Sequence, residues 1–254
     1  MAKDFYQFQH EREREYALQS MRTYLRNKPE QVKFFEELVG PYLNDEVSVL
    51  DACCGIGDLL FFLSQVNPNA YFTGVDKAEF LIEEARTHFA GNPKVTFQHG
   101  DIYALAEQFG KNSFDLSVCK QTLSWLPSYE KPVEELMSVT RRAVFISSLF
   151  YDGRIDFETR VREYTTDAGR EGYNAFYNVY SFPIFREFCL DRGARDVIGF
   201  DFNIGIDLPR PVNPDRMGTY TVQLQSGERL QISGAVLMPW KIVRVDLQEN
   251  ELER

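Results

Sequence analysis

The spacing of hydrophobic and polar positions changes character along the chain. From Glu11 to Leu43 apolar residues recur at helical intervals. A charged, Arg-rich segment comes first, followed by "KPEQVKFFEELVGPYL", in which Val32, Phe35 and Leu38 share a face and Pro29 suits a first helical turn. From Val47 onward, short unbroken apolar runs alternate with amphipathic segments. "VSVL", "AYFTGVD", "KVTFQHGD", "DLSVCKQ" and "RAVFISSLF" read as strands buried on both faces. Between them, "DLLFFLSQVN" up to Pro68, "KAEFLIEEARTHFAGNP" stopped by Gly91, Asn92 and Pro93, and the stretch from Glu130 to Thr140 read as helices. Strand and helix alternating in this way predict an α/β fold, a mostly parallel sheet with helices on both faces.

Beyond Phe150 the period drops to two. "IDFETRVREYT" sets Ile155, Phe157, Thr159 and Val161 against Asp156, Glu158, Arg160 and Arg162. "IGFDFNIGID" alternates Ile198, Phe200, Phe202 and Ile204 with small or polar partners. One wet face per strand is antiparallel behaviour. "VQLQSGERLQIS" reads as a hairpin around Ser226 and Gly227, and "KIVRVDL" as a closing strand. No repeat, low-complexity segment or linker divides the 254 residues, so one domain is expected. Its parts are an N-terminal helical lid (1–43), a core (44–150), an inserted hairpin (151–181) and an antiparallel C-terminal part (182–254). The lid reading rests on residues 1 to 27, which are charged and aromatic (Phe5, Tyr6, Phe8, Tyr16) without the apolar run of a buried helix.

Composition narrows the partners. A formal charge of −10 repels phosphate backbones, which argues against sequence-independent nucleic-acid binding and for a small-molecule partner. No run approaches the roughly 18–20 apolar residues of a membrane span, and "MAKDFYQFQHEREREY" carries charge where a signal peptide has its apolar core, so a cytoplasmic protein is expected. A homodimer stays open as the assembly. Cys53, Cys54, Cys119 and Cys189 show no CxxC spacing, and neighbours on a strand point to opposite faces. His10, His88 and His99 are scattered. No metal site is expected, and a reducing compartment fits.

The chemistry concentrates in "VSVLDACCGIGDLL". Asp51, Cys53, Gly55 and Gly57 occupy alternate positions where a strand runs into a helix, a place where free backbone N–H groups hold polar or anionic ligands. Cysteine is small enough to stand for a glycine there. Asp76 ends the next strand about twenty residues on, where a carboxylate can take both hydroxyls of a ribose. A nicotinamide-binding turn is the rival, but its third glycine position is Leu60.

Spaced as D-x-C-x-G-x-G, this segment resembles motif I of the class I S-adenosylmethionine-dependent methyltransferases. The resemblance runs from about Val47 to Phe150. It implies a Rossmann-like seven-stranded sheet with one antiparallel strand, and S-adenosylmethionine as cofactor. "GVD" with Asp76 is similar to the family's ribose-binding acid, "HGD" with Asp101 and Ile102 to its adenine-binding segment, and "FDLSVCKQTLSWLP" to its fourth strand and cleft loop. Lys77 and Cys119 join the cofactor contacts that the resemblance implies. Cys53 departs from the first glycine, and Lys120 stands where the family more often has a small or neutral residue. "YNVYSFP" and "MGTYTVQL" are more loosely similar to small-molecule methyltransferases of bacterial surface-polysaccharide and natural-product pathways. This implies O-methylation of a sugar or another hydroxyl-bearing metabolite, with a cofactor-binding partner protein without turnover as the alternative.

Methyl transfer to oxygen or nitrogen needs alignment and a base. His10 and His99 are candidates, each also readable as an ordinary surface or strand-end histidine. Trp125, Tyr177 and Tyr180 can line an acceptor pocket or pack a core. Lys120 can meet the acceptor, the cofactor carboxylate, or a structural acid such as Asp115 or Glu130.

Overall fold

The structure is a computed structural model and describes residues 11–44, 46–163, 173–212 and 217–248. Five strands form the parallel part of the main sheet: β1 (Ser48–Ala52), β2 (Tyr71–Asp76), β3 (Val95–His99), β4 (Phe114–Lys120) and β5 (Thr140–Tyr151). Two more, β9 (Asp196–Asp201) and β13 (Trp240–Asp246), complete the order β3-β2-β1-β4-β5-β13-β9. The closing strand β13 pairs antiparallel with both β5 and β9 and is the only reversed member of this path. The order turns back at β1, between β2 and β4. Open α/β sheets collect ligands at the carboxyl ends of the strands beside such a reversal.

Successive side chains of a strand point to opposite faces, and the core divides accordingly. Val49, Val118 and Phe145 face α2 (Glu30–Val39), α3 (Asp58–Val66) and α4 (Glu79–His88). Leu50, Cys119, Val144 and Ile146 face α5 (Leu105–Phe109), α6 (Glu130–Val139) and α7 (Phe182–Asp191). Burial on both faces is why β1 and β4 read as unbroken apolar runs. A third cluster of Leu149, Val179, Met238 and Trp240 lies at the carboxyl end of β5. Among the described residues no helix is long and apolar enough to cross a membrane.

The period-two half of the chain needs two corrections. A helix, α7, interrupts it: the Ser181 hydroxyl accepts from the Ile184 N–H, Pro183 sits in the first turn, and Phe185 and Cys189, four apart, are fully buried. Strand β9 also runs in the same direction as β1 to β5, since it is antiparallel only to β13. Its alternation records the wet face of an edge strand, not strand direction. Elsewhere the antiparallel reading matches the pairing. β6 (Arg160–Glu163) pairs with β7 (Tyr173–Phe176), and β10 (Thr219–Gln223) with β11 (Arg229–Ser233), whose turn holds Gly227 at φ +88°. Two short strands remain: β8 (Tyr180–Ser181) extends the end of β5 in parallel, and β12 (Val236–Leu237) borders β11.

The N-terminal segment forms α1 (Glu11–Arg26) ahead of α2, which Pro29 caps at its start. Phe5, Tyr6, Phe8 and His10 lie outside the described residues.

Candidate functional site

After Ala52 the chain leaves β1 and turns into α3 through three left-handed residues at alternate positions, Cys53 (φ +63°), Gly55 (φ +56°) and Gly57 (φ +80°). The turn needs a glycine-type backbone at each. Cys53 adopts it at a cost of about 1–2 kcal/mol for a residue with a Cβ. Gly57 has no such freedom, because a Cβ there would lie 2.7 Å from the Phe97 ring and 3.1 Å from Phe89. The loop is tied to β2 twice: the Cys54 N–H donates to the Val75 carbonyl at 3.0 Å, and the Gly55 N–H donates to Asp76 Oδ2 at 2.9 Å. The other oxygen of Asp76 accepts from the Ala78 N–H at 2.9 Å. Burial pushes the Asp76 carboxyl up, and the N–H donors of Ala78, Gly55 and Lys77 work against that shift. A carboxylate has about four acceptor positions, so the three backbone donors leave about one for a ribose hydroxyl.

Beneath the loop lies a charged cluster. Asp51 is 1% exposed, and its Oδ1 is buried without a hydrogen-bond partner. Burial pushes its carboxyl well up, Asp58 and Asp76 add to the shift, and Lys120 opposes it. Asp58, in the first turn of α3 and 7% exposed, is ion-paired to Lys120 at the end of β4. The structural acid for Lys120 is therefore Asp58. Asp115 is instead held by Arg141 and Ser48 near the other end of the sheet.

On the adenine side of the expected cofactor site, Lys77 Nζ meets Asp101 Oδ2 at 3.0 Å. Asp101 Oδ1 accepts from the Tyr103 N–H at 3.1 Å and caps a short turn whose first residue, Ile102, is buried. His99 is bound through Nε2 to the Lys77 carbonyl at 3.1 Å, a strand-end contact. Cys119 is fully buried, and burial pushes its thiol up to about 12. All four cysteines are unpaired, and burial also raises the thiols of Cys53 and Cys54. Among the described residues no cluster of His, Cys, Asp and Glu is arranged to hold a metal.

The fold thus gathers Asp51, Cys53, Gly55, Gly57, Asp76, Lys77, Asp101, Ile102, Cys119 and Lys120 around the carboxyl ends of β1 to β4. The aromatic candidates separate. Trp125 and Tyr177 meet edge-on at 4.2 Å within the third cluster, partly exposed. Tyr180 packs in the core: it is 5% exposed, lies against Tyr129, and donates its hydroxyl to the Leu123 carbonyl at 3.0 Å.

Four contacts escaped the sequence reading. Met21 of α1 reaches over the loop, its Sδ 3.8 Å from where a Cβ on Gly55 would be. Arg22 grips Glu84 of α4 with two hydrogen bonds of 2.6 and 2.9 Å, and the Tyr24 ring centre lies 6.0 Å from Lys120 Nζ. Gln31 of α2 accepts from the Ser147 hydroxyl at 2.8 Å, one strand over from Lys120. The signal for these was the amphipathic spacing of α1 and α2, which names a buried face but not what it covers. A cavity of about 510 Å³ lies at the opposite, amino-terminal end of the strands, bordered by Asn112, Glu134, Arg141 and Arg192. Its guanidinium groups are held by Asp115 and Glu134, and none of the expected cofactor- or acceptor-binding residues lines it.

A sheet ordered in this way, with a glycine turn after its first strand and an acid ending its second, defines the class I S-adenosylmethionine-dependent methyltransferase fold. Residues 43–167 match the family model described as a methyltransferase domain, and that segment is such a domain. The demethylmenaquinone methyltransferase of Lactococcus lactis subsp. lactis (strain IL1403) is 32% identical over 96 residues, covering 37% of this chain and 38% of that relative. The malonyl-[acyl-carrier protein] O-methyltransferase of Priestia megaterium is 27% identical over 104 residues, 41% of this chain and 36% of that protein. The chain therefore spans well under half the length of these curated relatives. Over longer stretches the fold agrees with solved structures. Magnesium protoporphyrin IX methyltransferase from Synechocystis PCC 6803 with bound S-adenosylhomocysteine has a TM-score of 0.52 at 17% identity, covering 86% of this chain and 82% of that one. The YcgJ protein of Bacillus subtilis has a TM-score of 0.55 at 15% identity, covering 84% and 98%.

Proposed function

We propose that the protein is an S-adenosylmethionine-dependent methyltransferase that methylates a small polar molecule at oxygen, the acceptor being a sugar or another hydroxyl-bearing metabolite. The observation that carries the reading is the pairing of loop and acid: Gly55 fixes one face of the Asp76 carboxylate, and its remaining acceptor capacity points to a ribose. Two further features fit the same cofactor. The orphaned Oδ1 of Asp51 calls for a donor, which an amino group supplies, and the Lys77–Asp101 pair flanks the expected adenine position. Bound there, S-adenosylmethionine supplies a methyl group activated on a sulfonium.

The chain's own residues then have three tasks. Asp76 and the Gly55–Gly57 backbone hold and orient the nucleoside and the methionine part. Helix α1, anchored through Arg22 on Glu84 with Met21 over Gly55, keeps water from the reacting end. Lys120, Gln31 and Ser147, with the Trp125–Tyr177 edge, form the side from which the acceptor approaches.

Incubation with methyl-labelled S-adenosylmethionine and a panel of sugar, quinol and carboxylate acceptors tests the reading. Labelled product from a hydroxyl acceptor supports it. Transfer only to a quinol or a carboxylate replaces the acceptor class, and saturable binding of S-adenosylhomocysteine with no transfer to any acceptor favours a binding protein of the same fold.

A further inference from the structure

The loop floor holds two buried carboxylates and one cation. Asp51 comes from β1, Asp58 from the first turn of α3 and Lys120 from the end of β4, and Lys120 is committed to Asp58. Asp51 Oδ1 has no donor. The other titratable groups facing the cluster do not supply one. Asp76 on β2 is itself an acceptor, with His99 beside it on β3. Cys53 in the loop is a half-buried thiol, Cys54 beside it and Cys119 on β4 are buried thiols, and α1 contributes the Tyr24 ring. An ionised carboxylate oxygen shut away from water without a donor is costly, so the pair lowers its free energy by keeping a proton.

We infer that the Asp51–Asp58–Lys120 cluster is a proton-linked receptor for a cationic amino group, and that a ligand bringing such a group to the cleft displaces one proton to solvent. The inference rests on the cofactor reading above, since the amino-acid end of S-adenosylmethionine or S-adenosylhomocysteine carries that group. The exchange balances without any covalent step. The carboxyl O–H proton leaves to bulk water, the ammonium keeps its protons, and Asp51 Oδ1 accepts one of its N–H bonds. Affinity then rises with pH over the range in which the empty cluster is still protonated.

Calorimetric titration in two buffers of different ionisation enthalpy tests this, with S-adenosylhomocysteine beside 5′-methylthioadenosine, which lacks the amino-acid end. Both ligands are expected to bind. The heat for S-adenosylhomocysteine should change with buffer by the amount due to about one released proton, and its affinity should rise up to tenfold per pH unit. The heat for 5′-methylthioadenosine should be buffer-independent. In Asp51→Asn the buffer dependence should vanish, with 5′-methylthioadenosine binding retained as the check on folding. Binding of S-adenosylhomocysteine without proton release, or equal release with both ligands, overturns the inference and leaves the cofactor reading standing. If neither ligand binds the native protein, the cofactor reading falls and this inference with it.

Discussion

The Gly55 amide and the Asp76 carboxylate, 2.9 Å apart, lock the loop after β1 onto the end of β2. One interaction thereby shapes the turn and aims the acid. It also makes the turn sensitive to any residue that resists a left-handed backbone.

Cys53 is the first test of that sensitivity. Its φ of +63° suits glycine, so Cys53→Gly removes local strain while raising the chain's unfolded-state entropy. The stability change should lie within about 1 kcal/mol of zero, and affinity for S-adenosylhomocysteine should be preserved. Thermal melts and calorimetry check this. Lost activity with intact binding would assign the thiol a chemical role, against its raised pKa.

Asp51 should stabilise the protein only when its carboxyl is protonated. Its folded pKa lies above the unfolded one, so the stability it contributes is full in acid and is lost as pH rises through the folded value. Asp51→Asn should therefore raise the Tm of the ligand-free protein at pH 7 by a few degrees, on the order of 1–2 kcal/mol, and leave it nearly unchanged near pH 4. A drop at neutral pH would mean that the ionised carboxylate is structurally needed.

Lys120→Met separates three roles. A rise in the acceptor KM with cofactor affinity intact assigns the lysine to the acceptor, and the reverse assigns it to the cofactor carboxylate. A loss of about 2–4 kcal/mol of stability with normal kinetics would show that it only balances Asp58, because removing one partner leaves a buried charge unpaired.

The lid contact is weak enough to open. Arg22 and Glu84 are half-buried at the rim, still open to water on the arginine side, and their hydrogen bonds, which lower the Glu84 pKa, are worth no more than about 1 kcal/mol after solvent screening. That contribution is present at neutral pH and is lost as pH falls through the lowered Glu84 value. Hydrogen exchange in residues 11–26 should slow when S-adenosylhomocysteine binds. Equal protection with and without ligand would make α1 part of the fixed scaffold.

Much of this was legible before any coordinates. Asp51, Cys53, Gly55, Gly57 and Asp76 are set by local backbone needs, and the sequence carries such needs at fixed spacing. The mostly parallel sheet followed from strand–helix alternation and its one antiparallel strand from the family resemblance, while the strand order came only with the structure. Long-range choices were less visible. Asp58 as the partner of Lys120 is a contact across 62 residues, and no pattern distinguished it from Asp115 or Glu130. Helix α7 hid among aromatic residues that read equally as strand, and the core packing of Tyr180 stayed open because an aromatic side chain does not announce which way it faces.

The central claim is that this cleft holds S-adenosylmethionine through Asp76, and calorimetric titration of S-adenosylhomocysteine into the native protein and Asp76→Ala tests it most directly. The native protein should bind saturably, and the variant should lose on the order of 2–3 kcal/mol, roughly 30- to 150-fold in Kd, with its melting behaviour retained. Equal affinity in the two proteins, or a response to NADH with none to S-adenosylhomocysteine, would contradict it.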